Sequence, residues 1–124
     1  MVDAQLSQRD KTVMFSNDRP IYRQIRDIIV SRILASGDGA LLPSVRALAA
    51  EAGVNPLTVA KAYHDLQASG MVTAKKGVGL FAAEGAARAM LKAERAVFLA
   101  EEWPRVLARL EQLGLRAEDL IEQV

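Results

Sequence analysis

Three short groups of residues have the types and spacing to meet a polyanion. In "VNPLTVAK", Asn55, Thr58 and Lys61 recur at intervals of three. On a helix they would bring an amide, a hydroxyl and an ammonium to its first two turns. In "PSVR", Ser44 and Arg46 place a hydroxyl beside a guanidinium. Lys75-Lys76-Gly77 sets two ammonium groups next to a residue that accepts positive φ. Hydroxyls and the free N–H groups of a helix start bind phosphate oxygens, and Lys or Arg also reaches a guanine edge. Each group alone has a plainer reading. Thr58 serves as a helix-start residue, Arg46 or Lys61 as a solvated charge, and the lysine pair as the guard of an exposed strand edge. Taken together on one fold, they favour nucleic acid. Catalysis finds no support, because no nucleophile stands with a base, no phosphate loop is present and no carboxylates are paired for acid–base work. His64 is the only histidine and there is no cysteine. No metal site and no cofactor is therefore expected.

These groups need elements to hold them. The residues up to about Asp18 are polar and are expected to be loosely ordered. Asp18-Arg19-Pro20 opens a helix, with Pro20 in its first turn, where a missing N–H costs nothing. Ile21, Ile25, Ile28, Ile29 and Ile33 form its apolar stripe, and "ASGDGALLP" ends it with Gly37 as the cap. Ser44 starts a short helix with Val45, Leu48, Ala49 and Ala52 on one face. Gly53-Val54-Asn55 is a tight turn. Asn55 is a good N-cap, and Pro56 then takes the first helical position. The helix from Asn55 to about Ser69 turns Val59, Ala62, Tyr63 and Leu66 inward, and Gly70 closes it. In "MVTAKKGVGLFAA" the period changes to that of a small hairpin with glycines at its turn. From Gly85 a long helical apolar pattern follows, with a kink or break expected near Glu102-Trp103, because Pro104 interrupts it. Gly114 ends this pattern, and "LRAEDLIEQV" reads as a last short amphipathic helix with Leu115, Leu120, Ile121 and Val124 apolar.

Two short helices joined by a glycine-bearing turn make a helix-turn-helix. A helix in front and a hairpin behind make it a winged helix. The fold class is therefore mostly α with a small β-hairpin. It divides into a loosely ordered start (1–18), a winged helix-turn-helix domain (19–83) and a helical tail (84–124).

Composition agrees with such a chain. Its 124 residues allow one domain with an appendage, and 51% apolar with 25% charged residues is globular. Up to Ala83 there are ten Lys/Arg and seven Asp/Glu, a balance of +3; from Glu84 there are six and eight, a balance of −2. A basic front suits a polyanion and a mildly acidic tail suits a partner subunit. The start has no apolar stretch of signal-peptide length and no run spans a bilayer, so a cytoplasmic protein is expected.

The segments "PIYRQIRDIIVSRILASGDG" and "LPSVRALAAEAGVNPLTVAKAYHDLQASGMVTAKKGVGLF" resemble the winged-helix domain of GntR-family bacterial transcription regulators. The resemblance covers Arg19 to Ala82 and points to the YtrA-type subfamily, whose members carry a short helical tail in place of a large effector domain. It implies a homodimer paired through tail helices, bound to a palindromic double-stranded operator. It also implies a repressor, often of its own operon with a transporter of the ATP-binding-cassette type. The family's DNA contacts fall here on Ser44 and Arg46, on Asn55, Pro56, Thr58 and Lys61 in the recognition helix, and on Lys75, Lys76 and Gly77 in the wing. The sequence departs from the pattern twice. Leu57 stands where a polar residue is common, which removes one base contact or replaces it by apolar contact with a thymine methyl. Val78 stands between the wing glycines where Arg is common, which shifts the wing's affinity toward Lys75 and Lys76.

Met90, Leu91, Val97, Phe98, Val106 and Leu110 are many apolar residues for helices with little domain to pack on. Pairing with a second copy would bury them; folding back on the winged domain is the alternative. A winged helix used for protein association, with no specific DNA binding, is the competing function. The front of a longer protein, such as the family's aminotransferase fusions, is a third reading. The sequence identifies no effector, although a crevice between domain and tail could hold one.

Overall fold

The computed structural model describes residues 19–121. The expectations for residues 1–18 and for Val124 lie outside them. Helix α1 spans Ile21–Ser36. Pro20 stands just before it as the cap rather than inside the first turn, with φ −56° and ψ 142°. Its carbonyl accepts from the N–H groups of Arg23 and Gln24. Gly37 ends the helix at φ 86°, its N–H donating to the Ile33 carbonyl.

A two-residue strand follows, β1 (Leu41–Leu42). The sequence reading took this segment only as the stretch that ends α1 and assigned no strand to it. Two residues are too few to show alternation, so only pairing defines the strand. Helix α2 is Val45–Ala52 and helix α3 is Pro56–Ala68. Between them Gly53 sits at φ 69°, a left-handed conformation that a residue with a Cβ adopts at a cost. Strands β2 (Val72–Lys75) and β3 (Gly79–Ala82) form the hairpin, paired antiparallel from Val72↔Ala82 to Lys75↔Gly79. Strand β1 adds to the other edge of β3, with Leu41↔Phe81 and Leu42↔Leu80, so the sheet order is β1-β3-β2. A Cβ on Gly79 would meet the Leu41 side chain at 3.1 Å, so glycine lets β3 begin against β1.

The core is built from the faces the periodicity predicts. Ile25, Ile29 and Ile33 of α1 are buried with Leu48 of α2 and with Val59, Ala62, Tyr63 and Leu66 of α3. The sheet contributes Leu42, Val72 and Ala82. Ile21 departs from the expected stripe and is 47% exposed, because the helix begins there, beyond the reach of its neighbours. The Tyr63 hydroxyl donates to the Pro43 carbonyl, which ties α3 to the residue just before Ser44. Arg32 of α1 pairs with Glu51 of α2 at 2.5 Å on the surface.

Helix α4 is Ala86–Val97. The carboxylate of Asp38 accepts from the N–H of Gly85 at 2.7 Å and of Ala87 at 2.9 Å. The Ala87 and Gly85 bonds hold the Asp38 carboxyl below its usual range. The interruption expected near Glu102-Trp103 takes the form of a π-helical turn at Phe98–Glu102, followed by α5 (Trp103–Gln112). Pro104 has no N–H and its ring crowds the preceding turn, and a wider turn relieves both problems. The Trp103 N–H donates to the Phe98 carbonyl, and the two aromatic rings stack with centroids 6.3 Å apart. Gly114 follows α5 at φ 68°, and α6 is the short helix Ala117–Ile121. The chain forms two compact units that divide between Met90 and Leu91. Among the described residues, no helix is long and apolar enough to cross a membrane.

Candidate nucleic-acid interface

The start of α3 is fixed by Asn55, which lies outside the helix at φ −64° and ψ 132°. Its side-chain oxygen accepts from the Leu57 N–H at 2.8 Å, and Pro56 occupies the first turn. The Asn55 carbonyl accepts from the N–H of Thr58 at 2.9 Å and of Val59 at 3.4 Å. This corrects one expectation. Pro56 has no N–H and those of the next three residues are engaged within the chain, so the first turn of α3 has no free backbone donor. Any polar contact made from this turn of α3 must therefore come from its side chains. The amide nitrogen of Asn55 keeps its donors, because only the oxygen serves the cap.

With Val59, Ala62, Tyr63 and Leu66 buried, the opposite stripe of α3 is Leu57, Lys61, His64 and Ala68. All four are exposed, and Leu57 at 76% is more exposed than any other large apolar residue of the helix. Thr58 is half-buried on the flank between this stripe and the core. Lys61 is not loose in solvent. Its ammonium lies over the ring of Tyr22 on α1, 4.0 Å from the centroid. A cation over an aromatic face is attracted by the ring's negative face, by about 0.5–1 kcal/mol at an exposed site.

Ser44 caps α2, its hydroxyl oxygen accepting from the Ala47 N–H at 3.1 Å. The hydroxyl proton remains available for a phosphate. Arg46 is exposed in the first turn of the same helix. The hairpin turns through Lys76-Gly77-Val78, with the Val78 N–H donating to the Lys75 carbonyl and Gly77 at φ 76°. Lys75 turns back along the strand, its ammonium 4.8 Å from the Phe81 ring centroid, while Lys76 is exposed at the tip. Val78 is 68% exposed beside it.

Sequence reasoning missed the two rings that hold these lysines. Tyr22 sits on another helix, and Phe81 lies across the hairpin. The register Lys75↔Gly79 was readable from the turn glycines and would have placed Phe81 on the facing strand. No pattern along the chain links Tyr22 to Lys61.

A short helix, a glycine turn, a second helix with a solvent-exposed stripe and a basic β-hairpin define a winged helix-turn-helix DNA-binding transcriptional regulator. Residues 18–81 match the gntR family of bacterial regulatory proteins. The chain belongs to the GntR family. It is 32% identical over 117 residues to the transcriptional regulator YhcF of Bacillus subtilis, covering 89% of this chain and 91% of YhcF. It is 28% identical over 120 residues to the transcriptional repressor YtrA of the same organism, covering 97% of this chain and 88% of YtrA. A GntR-family regulator from Listeria monocytogenes superposes with a TM-score of 0.64 at 25% identity, covering 88% of this chain and 96% of that one. The DNA-binding domain of AraR in complex with operator ORX1 matches at a TM-score of 0.53 and 26% identity, covering 58% of this chain and 94% of AraR's domain.

Proposed function

We propose that this regulator is a cytoplasmic homodimeric repressor, with no catalytic role, that binds a palindromic operator, including one at its own promoter. The observation that carries the DNA-contact assignment is the single exposed stripe on α3, which starts at a capped first turn and holds Leu57, Lys61 and His64. In this reading α3 enters the major groove. Asn55, Pro56, Thr58 and Lys61 meet bases and phosphates there. Ser44 and Arg46 bind the backbone from the first turn of α2, and Lys75, Lys76 and Gly77 meet it from the wing. The relative YtrA is named a repressor and the AraR domain is bound to an operator, which supports the same use here.

Pairing of copies would rest on the second unit. Val97 and Phe98 are each 43% exposed, Leu99 62%, Val106 42% and Leu107 43%. Leu91 is exposed and Leu110 half-buried. That much apolar surface on a few helical turns supports its use as a surface for association. Met90 differs, since it is 4% exposed and joins the core of the first unit.

The decisive experiment is sequencing of DNA recovered with the protein, starting from its own promoter. Inverted half-sites are expected, and their spacing reports the dimer's geometry. Enrichment of no sequence above input would remove the operator reading. Arg46→Ala, at an exposed position, should leave the melting temperature unchanged, whereas Lys61→Ala should lower it slightly, by the lost contact with Tyr22, and still fold. Each should weaken operator binding, with a salt slope smaller by about one unit if a phosphate contact is lost. Unchanged binding of both variants at fixed salt would discard the contact assignment.

A further inference from the structure

Beside α3, the first turns of α1 border a surface cavity of about 280 Å³. Arg19, just before α1, and Tyr22, Arg23, Arg26 and Asp27 of α1 line it, together with Asp65 of α3. Arg19 is occupied by Asp27 at 2.5 Å. Arg23 and Arg26 form no salt bridge among the described residues. Lys61 lies at the rim through its contact with Tyr22. Three arginines and Lys61 against two aspartates leave an excess of two positive charges, and burial does not demand them there.

The place of this patch matters more than its charge. An α-helix with its side chains is about 10–12 Å across, close to the width of the major groove at about 12 Å. A helix seated in the groove therefore has its flanks against the two phosphate backbones. The flank of α3 that carries Asp65, with Lys61 at its edge, is the flank packed against α1. Whatever α1 presents there stands over one phosphate strand. We propose that α1 carries a second phosphate-binding surface for the operator backbone. Arg23 and Arg26 are its cations, and Tyr22 is a positioning residue that holds Lys61 between the backbone and the groove. Guanidinium groups match phosphate oxygens in paired hydrogen bonds, which a lysine cannot do. This surface carries no sequence information and sets the depth and angle at which α3 docks.

The inference rests on the placement of α3 in the major groove, and the test separates the two. The full chain is titrated by fluorescence anisotropy against the selected operator and against an unrelated duplex over a range of salt. The double variant Arg23→Gln/Arg26→Gln is expected to bind both duplexes more weakly by the same factor. Its salt slope should fall by about two units, so that the ratio of wild-type to variant affinity is about tenfold larger at about 50 mM than at about 200 mM salt. Tyr22→Leu should weaken binding while Tyr22→Phe restores it, since the ring face is what Lys61 needs. Melting curves of each variant confirm that the fold is retained. A double variant with wild-type affinity and slope overturns the α1 surface and leaves the α3 reading standing. A loss confined to the operator, with an unchanged slope, also overturns it, because the arginines would then read bases. Stabilisation of the wild-type melt by inorganic phosphate with no change in the DNA salt slope makes the patch a small-anion site and overturns the proposal. Wild-type chain that shifts no duplex at low salt overturns the groove placement itself.

Discussion

Asn55 serves the fold and the proposed interface with different atoms. Its oxygen caps α3 through the Leu57 N–H, and its amide donors are not needed for that cap. Asn55→Ala is expected to cost about 1 kcal/mol of stability, read as a lower denaturant midpoint. Asn55→Asp keeps the cap and loses the donors, so it should retain stability and weaken DNA binding. Retained binding in that variant would assign Asn55 to the fold alone. Tyr63 is a residue whose chemistry comes from burial. Desolvation pushes its phenol up to about 12, and the Arg32 charge pulls weakly the other way. An exposed phenol ionises near 10, so the unfolded chain releases this proton first as pH rises. The corresponding stability is intact below about pH 10 and is lost between about 10 and 12. Melting of the wild type should fall more steeply over that range than melting of Tyr63→Phe. That variant should itself be less stable at neutral pH by about 1 kcal/mol, for the lost bond to Pro43. The caps were legible in the sequence because Ser44 and Asn55 act on backbone a few residues away. The rings under Lys61 and Lys75 were not read, because those contacts cross between elements.

At the scale of elements, the turn between α2 and α3 is the joint that sets the orientation of α3. Gly53 is left-handed there, and a Cβ on it meets no atom within 4 Å, so a substitution strains only the backbone. Gly53→Ala is expected to destabilise by about 1–2 kcal/mol, and Gly53→Asn by less, since Asn tolerates that conformation. Equal stability of Gly53→Ala and wild type in a denaturant titration would remove this account. Helices α1 to α3 and the hairpin were readable because each carries its own period and its own terminators. Strand β1 was not, since Leu41 and Leu42 become a strand only by pairing with β3. The proline in the tail was read as an interruption, but its form was open. A π turn keeps the axis helical through Phe98–Glu102 while accommodating a residue that cannot donate.

At the scale of the whole molecule, the buried apolar core lies in the first unit, whereas the second has no buried side chain among the described residues and leaves many large apolar ones exposed. The proposed pairing of copies accounts for that difference. A two-fold dimer uses the same patch twice, so one charge introduced there appears twice in the interface. Phe98→Glu is expected to convert a dimer into a monomer in sedimentation at micromolar concentration. It should also weaken operator binding strongly, because two half-sites would no longer be held by one particle. The winged unit should keep its melting transition, since Phe98 lies outside its core. A wild-type chain that sediments as a monomer at that concentration would end the pairing proposal, and Leu91, Val97 and Phe98 would need another explanation.

The sequence by itself determined what depends on neighbours along the chain. That includes the helix starts at Ser44 and Asn55, the glycine turns, the inward stripe of α3 and the hairpin. Periodicity and capping act over a few residues, so they are written locally. The family pattern added the class of partner. Tertiary structure decided what depends on distance across the fold. It brought Tyr22 under Lys61, set Asp38 against the start of α4 and laid β1 on β3. It also showed that the first turn of α3 has no free backbone donor, and that Met90 belongs to the core of the first unit while Leu91 does not. Burial and charge pairing are properties of neighbours in space, and only the folded chain decides which residues those are.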